Sequence, residues 1–243
     1  MTSPKDLSAS RAALASAWQA AAASDVPLQS QLDAYVAASR SIVPDTIAAY
    51  DRMVARLEHA GAGEDAPAVG SILPDMLLPD STGRLVALSS LIANGPLVVS
   101  FNRGHWCPYC RLEMLALNKA ARMLNASGVQ FVSIVPETAE FSQRMIETNQ
   151  LTFPVLSDID HAYALELALA VWTGAELSAL YASRGIDLAR FQGNSTGLLP
   201  IPATFVVDAE GRIRARFVVP EFRRRMSITD IVESLRGDVP GPR

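Results

Sequence analysis

The chain of 243 residues has only two cysteines and three histidines. That scarcity excludes a disulfide-stapled scaffold. It also leaves metal binding short of donors, since a structural zinc site wants about four Cys or His ligands. No apolar run approaches the ~18 residues of a membrane-spanning helix. Positive charge is not in excess, with 21 Lys and Arg against 25 Asp and Glu and a net charge of −4. The basic footprint of a nucleic-acid binder is therefore missing. An internal repeat, a Walker loop and a GxGxxG fingerprint are absent too. Met1-Thr-Ser-Pro-Lys-Asp6 lacks a charged segment followed by an apolar one, so no secretory leader is expected and a cytoplasmic, reducing setting follows. What is present is 49% hydrophobic and 19% charged residues, enough for one ordinary core plus an accessory segment.

The two cysteines stand together as Cys107-Pro108-Tyr109-Cys110. Before them, Leu97-Val-Val-Ser-Phe101 reads as a buried strand; after them, Arg111 to Arg122 reads as a helix. A lone dithiol at a strand-to-helix junction points to thiol redox chemistry. The first N–H groups of a helix have no intrahelical partner, and the helix dipole adds positive charge there. A thiolate at Cys107 would use both, which is how cysteine pKa values fall from about 8.5 to roughly 3.5–7.5. Pro108 suits the first turn, where its missing N–H costs nothing. Cys110, three residues on, faces the same way, with Cβ atoms about 5–6 Å apart on a regular helix. Cys107 is expected as the exposed, activated thiol and Cys110 as the thiol that closes on it. Two other roles are open to such a pair. A structural disulfide over so short a loop would constrain the unfolded chain little. A zinc site could draw on His105 as a third ligand, but no further Cys or His cluster follows, and His59 and His161 read as isolated surface residues.

Along the chain, residues 1–62 read as a helical arm and 63–243 as the main domain. Within the arm Ile47, Tyr50, Met53, Val54 and Leu57 recur at helical spacing, opened by Pro44-Asp45 and closed by Gly61. The arm is too short for a core of its own and is expected to pack on the main domain or on a second copy. From Val69 onward strands alternate with helices, which implies α/β packing around a mixed sheet. Strands are expected at 97–101, 129–135, 153–156, 203–207 and 212–219, and helices near 139–149, 161–170 and 228–236. Asp80–Gly83 and Asp208–Gly211 read as tight turns. Residues 174–197 form an insertion with helical character at 175–183, placed to border the site entrance. Arg223-Arg-Arg225 reads as a solvated turn. Asn194-Ser-Thr196 reads as a loop rather than a glycosylation site.

Ser100-Phe-Asn-Arg-Gly-His-Trp-Cys-Pro-Tyr-Cys-Arg-Leu-Glu-Met114 resembles the signature of the peroxiredoxin-like branch of the AhpC/TSA family, in the thioredoxin superfamily. The helical arm, Val69–Asp75, Leu151–Asp158 and Leu199–Asp208 resemble it as well. The resemblance implies a thioredoxin-like α/β fold with an N-terminal helical extension. It implies reduction of a hydroperoxide by the Cys107 thiolate, with Cys110 as second cysteine and no metal, flavin or haem. A thioredoxin- or glutaredoxin-like dithiol would be the reductant, and a homodimer through the arm or a sheet edge would fit. Ile201-Pro202 matches the family's cis-proline. There are departures. Gly104 and Ser100 stand where peroxiredoxins carry Thr or Ser and Pro, and Pro202 stands where an Arg is usual. Arg103 is a candidate for the missing positive charge, or else a loop residue paired with a carboxylate; Trp106 is expected to shield the thiol. With the Thr and Arg missing, a thioredoxin-like protein disulfide oxidoreductase is the alternative activity. A redox fold kept only as a binding scaffold is a third.

Overall fold

The structure is a computed structural model, and it describes residues 4–236. Met1–Ser3, part of the stretch read above for a leader, lie outside them. Three helices come first: α1 (Pro4–Ala23), α2 (Leu28–Ile42) and α3 (Pro44–His59). A hairpin of β1 (Leu77–Pro79) and β2 (Leu85–Ala87) leads through α4 (Leu88–Ile92) to β3 (Leu97–Phe101). Then follow α5 (Pro108–Leu124), β4 (Gln130–Val135), α6 (Ala139–Asn149), β5 (Val155–Ser157) and α7 (Ala162–Glu166). The inserted segment carries β6 (Ala170–Trp172), α8 (Ala175–Ser183), α9 (Leu188–Gln192) and β7 (Leu198–Pro200). The chain ends with β8 (Ala203–Val207), β9 (Ile213–Val218) and α10 (Ile228–Ser234).

The central sheet has five strands in the order β5-β4-β3-β8-β9. β3, β4 and β5 run parallel, while β8 and β9 are antiparallel additions. β3 is central and buried on both faces, which is why its sequence is nearly continuous in apolar residues rather than alternating. Its register sets Phe101 against Ala203 on one side and Ile134 on the other. The ends of β3 and β8 therefore meet, and the loops at 102–107 and 201–202 lie side by side.

The layers follow from helix faces. On α5 the buried residues Tyr109, Cys110, Glu113, Met114, Leu117, Ala120 and Ala121 recur at helical spacing. That face shares one core with arm residues Leu28, Leu32, Tyr35, Met53 and Leu57. The other sheet face is filled by a second cluster that includes Leu73, Phe101, Tyr163, Leu167 and Phe205. The arm thus lies across the main domain, as its shortness required.

Some expectations shift. The segment read as a helix over 161–170 is helical only at Ala162–Glu166, because Leu167 and Leu169 turn down into the second cluster and the chain leaves as β6. The strand read at 153–156 starts at Val155, after a proline that cannot donate to a ladder. His161, read as a surface residue, is 0% exposed and sits at a positive φ of 60° just before α7; burial pushes its pKa down. The stretch 61–67 is folded back in turns. Arg216 of β9 donates from Nη1 to the carbonyls of Ala66 and Pro67.

Leu32 is 0% exposed in the core that arm and α5 share. Leu32→Ala is expected to destabilise the protein by about 2–5 kcal/mol. Urea denaturation followed by fluorescence and by circular dichroism reads this as one transition moved to lower urea. An unchanged midpoint would mean that the arm does not share the core.

Candidate active site

β3 ends at Phe101, and the next six residues turn the chain into α5. Asn102 continues the ladder by donating its N–H to Ile134 O at 2.8 Å. Its side-chain amide donates to Ser100 Oγ (2.9 Å) and Ser133 Oγ (3.1 Å). Gly104 holds φ at +125°, and a Cβ there would stand 2.5 Å from the carboxylate of Glu137. This explains a departure noted above, since no Thr or Ser fits at 104 while Glu137 fills that space. Glu137 is 0% exposed, accepts the His105 N–H at 2.8 Å, and faces His105 Nδ1 at 2.7 Å. The His105 ring also stacks on Phe141, centroids 4.9 Å apart. His105 is thus engaged by Glu137 and Phe141, not by the cysteines.

Cys107 occupies the N-cap of α5 with Pro108 in the first turn, as expected. Its burial is not as expected, because Cys107 is 1% and Cys110 0% exposed, and both are free thiols. The reason is the cover above them. Trp18 Nε1 donates to Pro108 O at 3.0 Å, and the Tyr35 ring meets Tyr109 edge-on at 5.4 Å. Trp106, half-buried, leans on Tyr181 of α8 with centroids 5.2 Å apart. Arm and insertion together close the dithiol from solvent.

Two buried thiols in contact do not share one acidity. Burial by itself pushes the Cys107 pKa up. Hydrogen bonds from the Cys110 S–H and N–H, with the positive charges of Arg103 and Arg225, outweigh that and bring it down to about 6. Cys110 moves the other way. Burial raises it, and so does donating to a negative neighbour. The pair is a thiolate at Cys107 held by a thiol at Cys110. Cys110 Sγ in turn accepts from the Arg103 N–H (3.4 Å) and from Arg225 Nη2 (3.6 Å).

Arg103 is 3% exposed. It donates from Nη2 to the Tyr181 hydroxyl and lies over the Phe222 ring at 4.2 Å and the Trp106 ring at 5.3 Å. The carboxylate partner considered above is not what holds it; aromatic faces and a phenol do. Tyr181 lies in the segment that sequence placed at the entrance, and it provides that link.

Below the dithiol the sequence reading is overturned. Arg225 and Arg223 are 5% and 8% exposed, so 223–225 is not a solvated turn. Arg225 Nε donates to Glu113 Oε2 at 2.7 Å, and Nη1 donates to the carbonyls of Phe222 and Arg224. Glu113 also accepts from Ser100 Oγ at 3.3 Å; burial pushes its pKa up while Arg225 pulls against that. Arg223 pairs with Asp51 of the arm (2.7 Å) and with Glu221 (2.5 Å). A signal for Arg225 was present in the sequence. Glu113 falls on the buried face of α5, three residues after Cys110, and a buried carboxylate needs a cation.

Ile201 and Pro202 are buried where the loop into β8 passes Arg103, and with Arg103 they border a cavity of about 10 Å³, too small for a ligand. The expected cis bond is not there. No peptide among the described residues is cis, and the Ile201 N–H bonds to Leu169 O at 2.7 Å as the chain runs extended from β7 into β8.

A model of the AhpC/TSA family matches residues 69–216. The thiol-disulfide oxidoreductase ResA of Geobacillus thermodenitrificans is 25% identical over 150 residues, 61% of this chain and 68% of that protein. A putative peroxiredoxin of Mycobacterium tuberculosis is 26% identical over 100 residues, 41% of this chain and 65% of its own length. The crystal structure of peroxidoxin BcpB from Mycobacterium tuberculosis aligns with a TM-score of 0.53 at 20% identity, over 69% of this chain and 96% of that one. That last likeness is one of fold, and it bears out the thioredoxin-like architecture.

Arg225→Met strands the Glu113 carboxylate in the core and is expected to cost about 3–5 kcal/mol. The double variant Glu113→Leu with Arg225→Met is expected to recover most of that loss. Chemical denaturation of both reads it. A double variant no more stable than the single would mean that the ion pair is not what makes the site costly to disturb.

Proposed function

Because the chain belongs to the AhpC/TSA family, a family whose chemistry is that of thiols, we propose that it is a thiol peroxidase with Cys107 as the reacting sulfur. The asymmetry of the dithiol carries this reading: Cys107 is lowered to about 6 and Cys110 raised, in contact with each other. The Cys107 thiolate attacks the terminal oxygen of a hydroperoxide. An S–O bond forms, the O–O bond breaks, and the leaving alkoxide takes a proton to become an alcohol or water. Cys107 is then a sulfenic acid. Cys110 attacks that sulfur, releasing water and giving an internal disulfide, and an external thioredoxin-type dithiol restores both thiols by exchange. A reducing compartment such as the cytoplasm supplies such a dithiol.

Burial supports peroxide as the oxidant. With Cys107 1% exposed, a small peroxide needs only a narrow gap beside Trp106, whereas a protein disulfide needs the cover moved aside. Arg103 and Arg225 provide the positive charge that holds the thiolate and that steadies the departing oxygen. Pro108 fixes the first turn, and Trp106 shields the sulfur. Ile201 and Pro202 wall the site beside Arg103.

A second reading has its own support. Glu137 fills the space where a peroxide-binding hydroxyl would stand, and ResA, named as a thiol-disulfide oxidoreductase, is among the similar proteins. Under that reading the protein turns over a disulfide substrate without any peroxide.

Mass spectrometry of the reduced protein after a pulse of hydrogen peroxide separates the two. We expect the native chain to lose two hydrogens as the disulfide forms. Cys110→Ser is expected to stop at a sulfenic acid and Cys107→Ser to stay unmodified. No oxidation of Cys107 beyond the rate of a free thiol, together with turnover of a disulfide substrate, would favour the second reading. Because the thiolate reacts and its pKa is lowered to about 6, the oxidation rate should be level above pH 6 and fall as pH drops through it, about tenfold per unit. Stopped-flow tryptophan fluorescence measures this; a rate still climbing above pH 8 would contradict a thiolate formed near neutrality.

A further inference from the structure

One cleft lies over the outer side of the dithiol turn, between the arm and the start of α5. Its volume is about 320 Å³, which falls in the ~300–1,000 Å³ range of small-molecule sites. The feature that sets it apart is its polar lining. Eleven buried polar side-chain atoms among the described residues have no hydrogen-bond partner, and six of them belong to residues around this one cleft. They are Ser39 Oγ, Thr46 Oγ1, Trp106 Nε1, Tyr109 Oη, Arg111 Nε and Arg184 Nε. Ser39, Thr46 and Tyr109 are 2%, 5% and 2% exposed. The Ser39 hydroxyl lies near those of Tyr35 and Tyr109 without reaching hydrogen-bond geometry with either. Leaving such groups unmet costs about 1–3 kcal/mol each, and six around one space mark a site shaped for an occupant.

The chemistry of the six is one-sided. An indole N–H and a guanidinium N–H only donate, and the three hydroxyls can all donate. Two guanidiniums line the cleft and no carboxylate does. The occupant must therefore offer acceptors and negative charge. Leu14, Val43, Ile47 and Ile186 make the remaining wall apolar. The Trp18 ring, with the Arg111 guanidinium 4.0 Å from its centroid, adds a flat face. An anionic head and an apolar body fit this lining, whereas a bare inorganic anion would leave the apolar wall unused. Cys107 is not part of the lining, but the cleft lies close to it: Trp106 and Pro108, which flank Cys107 in the chain, both line the cleft, and the Cys107 charge acts on Arg111 and Tyr35.

We propose that this cleft binds a small organic acid with an apolar body through its carboxylate, and that a hydroperoxide of that class is the substrate presented to Cys107. The second half rests on the peroxidase reading; the first does not. The carboxylate is held by Arg111 and Arg184 with the hydroxyls of Ser39, Thr46 and Tyr109. The apolar body lies along the arm, and the hydroperoxyl group passes Trp106 to the sulfur. The reaction is then the one above: the O–O bond breaks, the acid leaves as its alcohol, and Cys107 becomes the sulfenic acid. Leu14, Ser39, Val43, Thr46 and Ile47 come from the arm, outside the segment matched by the family model, so the added helices supply most of the apolar wall and two of the hydroxyls, while Arg111, Arg184 and Tyr109 come from within that segment.

The test uses the full reduced chain with decanoate, decanol and acetate as probes. Binding is read by calorimetry and by the fluorescence of Trp18 and Trp106. Decanoate is expected to bind one saturable site at least tenfold more tightly than decanol or acetate. Arg184→Gln and Arg111→Gln are each expected to weaken decanoate about tenfold or more, as loss of a charged hydrogen bond does. Circular dichroism checks that each variant is folded; Arg184, half-exposed on the insertion, is the variant least able to disturb the core. A second readout is the ratio of Cys107 oxidation rates by a ten-carbon acid hydroperoxide and by hydrogen peroxide, expected to drop about tenfold in Arg184→Gln. No saturable binding of decanoate, or equal binding of decanol, overturns the site even if hydrogen peroxide oxidises Cys107. Decanoate binding with no reaction toward either peroxide overturns the substrate assignment and the peroxidase reading while the carboxylate site stands.

Discussion

A thiolate buried at 1% exposure is the constraint around which this molecule is arranged. An unpaired ion in an apolar interior is costly enough that a group normally gives up its charge instead. Cys107 keeps it because four things converge: the open N–H groups at the start of α5, the S–H of Cys110, and the guanidiniums of Arg103 and Arg225. Each of these must itself be held. Arg225 is held by Glu113, and Glu113 by Ser100. Arg103 is held by Tyr181 and by the faces of Phe222 and Trp106. The charge on one sulfur thus ties together β3, α5, α8 and the segment after β9.

The same constraint accounts for the parts that lie outside the thioredoxin-like core. Arm and insertion are additions to that core, and they supply Trp18, Tyr35 and Tyr181 to the cover over the dithiol. Exclusion of water lets the two arginines act at short range in a medium of low dielectric. It also limits what can reach the sulfur, and so gives the arm a part in deciding access to it. Gly104 belongs to this logic as well, because only a residue without a side chain leaves room for Glu137.

Much of this was legible in the sequence because it is local. The strand at 97–101, the helix begun by Pro108 and the N-cap place of Cys107 all follow from adjacent residues, and α8 at 175–183 was found by its composition. The charges were not legible. Arg223-Arg-Arg225 looked solvated because a short basic run usually is, and its burial depends on Glu113 and Asp51, which come from two distant places in the chain and join the near neighbour Glu221. Cys107 looked exposed because nothing near it in sequence announces Trp18 or Tyr181. Arg103 stood out in the sequence, but apart from Trp106 its aromatic setting comes from Tyr181 and Phe222, more than seventy positions away. Covalent neighbours set the backbone, and distant ones set the electrostatics.

The account stands on the order in which two sulfurs lose their protons. Carbon-13 labelling of the cysteine side chains, with NMR spectra of the reduced protein across pH, follows each sulfur separately. The account predicts that Cys107 titrates at about 6 and that Cys110 stays protonated to well above 9. A Cys107 titration at the ordinary thiol value of about 8.5, or a Cys110 that ionises first, would contradict it.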